Sequence, residues 1–171
     1  MNMKKLIACL SFSALLCIQT SAHALVSKEG GFSIAMPGKA SMNQVNHKSI
    51  VGDVKENTYS AKTKTDEYTA SYTVLPDIAV SMQSDKALLT QAKEGFVKDT
   101  GAREVSFDKI DIQGKEGREF KYTLKSQNGK ESSGIARFVI SNKVLYVIAA
   151  NSSTPNQKQV SRFVNSFKLL Q

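Results

Sequence analysis

Between Lys143 and Asn151 the chain reads Val-Leu-Tyr-Val-Ile-Ala-Ala, apolar at every position and bounded by polar residues on both sides. Seven residues rich in β-branched and aromatic side chains match the length and composition of a strand better than those of a helix. Successive side chains of a strand point to opposite faces, so a strand that is apolar at both parities has to be covered from both sides. Val144–Ala150 is therefore expected at the centre of a sheet with a layer above it and a layer below.

The flanking sequence supplies the rest of such a sheet. Gly134 to Ile140 reads as a second strand. Before it, Asn128-Gly129 suits a hairpin turn, because both residues tolerate a positive φ. In the strand after Gly117, Phe120, Tyr122 and Leu124 share one face while Glu119, Lys121 and Lys125 share the other, which places it toward an edge. From Arg103 to Gln113 the apolar positions change parity, from Val105 and Phe107 to Ile110 and Ile112; a bulge near Asp108-Lys109 would account for the change. Upstream, Phe32–Met36 alternates between turn signals, Ser49–Ala61 reads as extended about Gly52-Asp53, and Tyr68–Leu75 is a further strand. The polar stretch Lys39–Lys48 reads as a connection.

Two helices are expected to cover the sheet. Ser84 or Asp85 can accept a bond from an amide of the first turn, the stripe Leu88, Ala92, Phe96 with Leu89 and Val97 follows at helical spacing, and Gly101 provides a left-handed stop. At the C-terminus, Thr154-Pro155 is an N-cap followed by proline at the first helical position. Val160, Phe163, Val164 and Phe167 then fall on one face. The expected fold is α+β: an antiparallel β-sheet sandwiched between helices, three-layer α/β/α, in a single domain over residues 25–171.

Residues 1–24 are expected to be a secretory signal peptide: Lys4 and Lys5 precede an apolar run from Leu6 to Ile18, and Ala22-His23-Ala24 offers small residues at Ala22 and Ala24 for cleavage. The apolar run is shorter than the roughly 20 residues that cross a bilayer, so no transmembrane span is expected. The expected location is periplasmic or secreted. Both cysteines, Cys9 and Cys17, lie in this leader. Cleavage after Ala24 leaves a cysteine-free domain; a lipid anchor at Cys17 is the alternative. The formal net charge of +8 is spread among interleaved acids, which favours a solvated exterior over a polyanion site, with peripheral association with anionic membrane surfaces as the second reading.

Few catalytic chemistries fit the remaining residues. Past the leader, His47 is the only histidine, no G-x-S-x-G elbow exists, and one imidazole without thiolates does not close a zinc site. Ser106-Phe107-Asp108-Lys109 has S-x-x-K spacing, but residues three apart in a strand point to opposite faces. Asp108 and Asp111 are close in sequence yet lack a calcium-loop pattern. Gly114-Lys115-Glu116-Gly117 joins strands rather than helices, so it reads as a reverse turn and not as an RNA-binding loop. Asn151-Ser152-Ser153 reads as a polar lead-in to the last helix. No cofactor, metal or nucleic acid is expected.

The order of elements, with Phe32-x-Ile34-x-Met36-Pro37-Gly38 early, an amphipathic helix in mid-chain, the Gly117-Arg118-Glu119-Phe120 strand, a two-strand meander and a terminal Val160…Phe163…Ser166-Phe167 helix, resembles the PsbP-like fold. That superfamily includes photosystem II extrinsic subunits, a Ran-binding nuclear transport factor and many exported bacterial proteins. The resemblance implies an antiparallel sheet between helices and a role as a binding or assembly accessory; it carries over no functional residue. The expected function is a non-enzymatic accessory that binds an envelope protein. The alternative is a carrier of a small or anionic ligand, using the loop that holds His47 and the loop from Pro76 to Ser84 with Ile78, Val80 and Met82. A hydrolase is the third reading.

Overall fold

The computed structural model describes residues 22–49, 52–125, 129–155 and 157–170. A small antiparallel sheet is formed by β1 (Ala22–Ser27), β2 (Phe32–Pro37) and β10 (Lys168–Leu169), with β2 in the middle. The large antiparallel sheet contains β3 (Ser41–Ser49), β4 (Gly52–Lys62), β5 (Asp66–Val74), β6 (Arg103–Ile112), β7 (Lys115–Lys125), β8 (Glu131–Ser141) and β9 (Val144–Ser152), in the order β3-β4-β5-β9-β8-β7-β6. The helices are α1 (Asp77–Met82), α2 (Asp85–Thr100) and α3 (Lys158–Asn165).

β9 is the fourth of the seven strands, as its two apolar faces demanded. Tyr146, Ile148 and Ala150 pack into one core with Phe32, Ile34 and Met36 of β2 and with Val160, Phe163 and Val164 of α3. Leu145, Val147 and Ala149 face the other core, where Leu88 and Leu89 of α2 meet Phe120, Tyr122 and Phe138. The apolar face of β7 lies in that second core as expected, and β7 sits one place in from the edge.

The three-layer α/β/α expectation is corrected by this arrangement. The described residues are mostly β, in two sheets, with three short helices. One face of the large sheet is covered by α2. The other is covered by the small sheet together with α3, so most of the apolar surface expected of a helix there comes from the buried side of β2. Phe32, Ile34 and Met36 are each 1% exposed or less.

Several local expectations are corrected with it. The polar stretch before Ser49 is strand β3, paired with β4 from Ser41↔Ser60 to Ser49↔Gly52. As an edge strand it buries little, so it carries no hydrophobic pattern. The register shift in β6 falls between Glu104 and Ser106, not near Asp108-Lys109. Phe107 and Ile110 differ in parity because both faces of the sheet are covered, and no bulge is needed between them. α3 begins at Lys158 rather than at Pro155. The Thr154 hydroxyl is engaged with Ser152 Oγ at 2.9 Å, and Ser152 Oγ also accepts from the Thr154 amide.

α2 matches its sequence closely. Ser84 Oγ accepts from the Ala87 amide, and Gly101 ends the helix at φ 71°. Lys125 pairs with Glu131 across the β7–β8 connection, in which Gly129 has φ 80°; Asn128 lies outside the described residues.

Candidate functional site

The β1–β2 turn, residues 28–31, lies against the large sheet and is held by a set of aromatic rings. Phe32 is fully buried, with its ring centroid 6.0 Å from Tyr59, 6.1 Å from Tyr72, 6.0 Å from Tyr146 and 5.7 Å from Phe167. Buried phenols need partners. Tyr146 donates to the Gly30 carbonyl at 2.8 Å, and Tyr59 meets Ser27 Oγ at 3.3 Å. Ser27 Oγ also accepts from the Gly30 amide. Gly30 has to be glycine, because a Cβ there would lie 2.8 Å from Ser27 Oγ and 2.8 Å from a ring carbon of Tyr72.

Tyr72 is the exception among the three tyrosines that touch Phe32. It is 2% exposed, and its hydroxyl is buried: Glu29 and Ser27 are near enough to act on it, but neither meets hydrogen-bond geometry, so it has no hydrogen-bond partner. Burial, reinforced by the charge of Glu29, pushes its pKa up to about 12. An orphaned buried hydroxyl is costly to keep, on the order of 1–3 kcal/mol.

Tyr72 lies in the wall of a cleft of about 440 Å³ at the end of the two sheets. Strand parity explains its other residues: Asp53, Lys55 and Asn57 lie on one face of β4, the first two exposed and Asn57 buried, and Asn57 sits opposite Tyr72 in the register. Glu29, from the β1–β2 turn, completes the polar side. Val74, Leu75 and Pro76, where β5 gives way to α1, form the apolar side. Asn57 is 3% exposed and its Oδ1 accepts from Gln44 Nε2. Among the described residues no ion pair engages Glu29, Asp53 or Lys55.

A second cleft, of about 410 Å³, opens at the opposite end of the strands. Two of its charges are paired with each other. Lys62 pairs with Glu67 and holds that carboxyl below its ordinary pKa, while Asp66 accepts from the Tyr68 hydroxyl at 3.0 Å. The Ser153 amide and hydroxyl both bond to the Thr65 carbonyl.

The residues singled out from sequence do not gather in one place. His47 stands on the exposed edge strand, its Nε2 3.0 Å from Glu56 Oε2. Ile78, Val80 and Met82 lie on α1 rather than in a loop; Ile78 and Met82 are exposed and Val80 is half-buried. The link to the cleft is Pro76, the N-cap residue of α1. Ala22 and Ala24 lie in β1, opposite Pro37 and Ala35. Asp108 faces Glu119 across the β6–β7 ladder, and Asp111 accepts from the Gly114 amide inside the turn. Ser106 and Lys109 face opposite sides of the sheet, since their partners Lys121 and Arg118 do. Sequence reasoning missed Glu29, Asp53, Lys55, Asn57 and Tyr72 as site residues. The available signal was Asn57, a polar residue at an inward position between Lys55 and Tyr59.

No family model and no curated protein matches the chain. Among solved structures, cyanobacterial PsbP (CyanoP) from Synechocystis is similar over 96% of this chain and 98% of its own, with a TM-score of 0.60 at 11% identity. The fold is PsbP-like. A Pseudomonas aeruginosa protein of unknown function is similar over 81% of this chain and 87% of its own, with a TM-score of 0.40 at 9% identity. At these identities the PsbP-like likeness concerns the backbone path, and the residues of the cleft stand on their own chemistry.

Proposed function

We propose that this protein is exported, is cleaved after Ala24, and serves as a binding protein without catalytic activity, with the cleft between Glu29, Asp53 and Pro76 as its ligand site. The observation that carries the reading is the Tyr72 hydroxyl, buried and unpartnered in the wall of a cleft large enough for a small molecule. A ligand or a group it displaces would provide the missing partner.

Cleavage after Ala24 would remove Ala22, His23 and Ala24, the first three of the six residues of β1, and with them their pairing to Pro37, Met36 and Ala35. Removal of residues 1–24 would leave Leu25, Val26 and Ser27 paired with Ile34, Ser33 and Phe32. Ser27, which anchors the turn beneath the cleft, stays in place.

The reading is tested by thermal-shift screening of the protein after leader removal against a library of small polar metabolites. A ligand present at one hundred times its Kd stabilises the folded state by about 2.7 kcal/mol. At least one compound is expected to raise the Tm in the parent protein and to lose most of that effect in Asp53→Asn. A library without a single stabilising compound, or stabilisation indifferent to the cleft substitution, would overturn the reading.

A further inference from the structure

We infer that the cleft beside Pro76 takes a ligand bearing an ammonium group on an apolar body, an alkylamine or an amino acid, rather than an anion. The inference rests on the cleft as the binding site and adds the chemical class. Two carboxylates, Glu29 and Asp53, face the cleft against one cation, Lys55, and no ion pair among the described residues engages any of the three. An anionic ligand would meet an unfavourable balance there. An ammonium group would find charge-assisted acceptors, which are stronger than neutral ones.

A second feature, the Tyr72 hydroxyl, marks the cleft as a place for a polar group of the ligand, and the excess of carboxylate decides the sign of that group. The Tyr72 hydroxyl is buried without a partner, and its phenol stays neutral to high pH, so it is not itself a competing charge. An ammonium group held between Glu29 and Asp53 would also be a donor for that hydroxyl. Val74 and Leu75 with Pro76 supply an apolar wall for a short alkyl chain. The cleft at the other end of the strands lacks this combination, because Lys62 already neutralises Glu67.

Three probes with the same branched alkyl chain separate the charges: isoamylamine, leucine and isovalerate. Binding to the protein after leader removal is measured by isothermal titration at low salt, in the parent chain and in Glu29→Gln and Asp53→Asn. Both substitutions are at exposed positions, so folding is preserved, and circular dichroism checks this. Isoamylamine and leucine are expected to bind at least tenfold more tightly than isovalerate. Each substitution is expected to weaken the amine at least tenfold and to leave isovalerate unchanged or bound more tightly. Isovalerate binding as well as the amine, or no probe binding at millimolar concentration, would overturn the assignment of ligand class. If isovalerate binds as tightly as the amine and Asp53→Asn alters its affinity, the class fails while the cleft stands as the binding site. If the amine binds but neither substitution matters, the cleft itself is wrong.

Discussion

Two buried phenols that touch the same ring, Tyr72 and Tyr146, should respond in opposite ways to loss of the hydroxyl. Tyr146→Phe removes the bond to the Gly30 carbonyl and leaves that buried acceptor unsatisfied, at a cost of about 1–3 kcal/mol by urea denaturation. Tyr72→Phe removes an oxygen that has no partner, so the apo protein should be unchanged or stabilised by up to about 1 kcal/mol. A loss of stability in Tyr72→Phe would mean that the hydroxyl is satisfied in solution. The same phenols set an alkaline limit. Burial raises the pKa of Tyr72 from 10.0 to about 12 and raises Tyr68, Tyr122 and Tyr146 in the same direction. The unfolded chain releases those protons near pH 10 while the folded chain retains them. Stability is therefore full below about pH 10 and falls as pH rises toward 12, by about 1.4 kcal/mol per pH unit for each such tyrosine. Urea midpoints measured from pH 8 to 11.5 check the sign; a midpoint that stays flat above pH 10 would contradict it.

At the level of elements, α3 is tied to the large sheet by Arg137 of β8. Its guanidinium meets Glu119 Oε2 at 2.8 Å, the Val164 carbonyl at 3.2 Å and Asn165 Oδ1 at 2.8 Å. Arg137→Ala should cost about 1–3 kcal/mol, since it leaves Glu119, 15% exposed, with only Lys121 at 3.8 Å and frees the last turn of α3. Amide exchange should rise first across residues 160–165; uniform exchange across the chain would contradict the latch. The elements legible from sequence were those whose burial imposes a period. β9 was placed centrally because every position is apolar, and α2 was bounded by Ser84 and Gly101, whose side-chain bond and positive φ are local properties. β3 was not legible, because Ser41–His47 are all exposed and an edge strand held only by its backbone ladder shows no alternation. α1 is a single helical turn and a half after Pro76, too short for a stripe. β10 has two residues. The cleft was hidden for a different reason: Glu29, Asp53 and Tyr72 come from three separate elements, and only the pairing of β4 with β5 and the turn above them brings them together.

For the molecule as a whole, the PsbP-like path places the small sheet over one end of the large one and leaves the cleft where β4 and β5 run past the β1–β2 turn. Among the described residues no helix is long and apolar enough to cross a membrane. Intact mass of the protein recovered from its native compartment should correspond to residues 25–171; a mass that retains the leader, or one matching a lipidated Cys17, would contradict the proposed processing. The central claim, that the cleft is where this protein binds, is tested most directly by mapping amide shifts in a two-dimensional NMR spectrum as the low-mass fraction of a bacterial envelope extract is added. The account predicts shifts concentrated at Glu29–Gly31, Asp53–Asn57 and Tyr72–Leu75. Shifts centred instead on Lys62–Glu67 at the opposite end of the strands, or none anywhere, would contradict it.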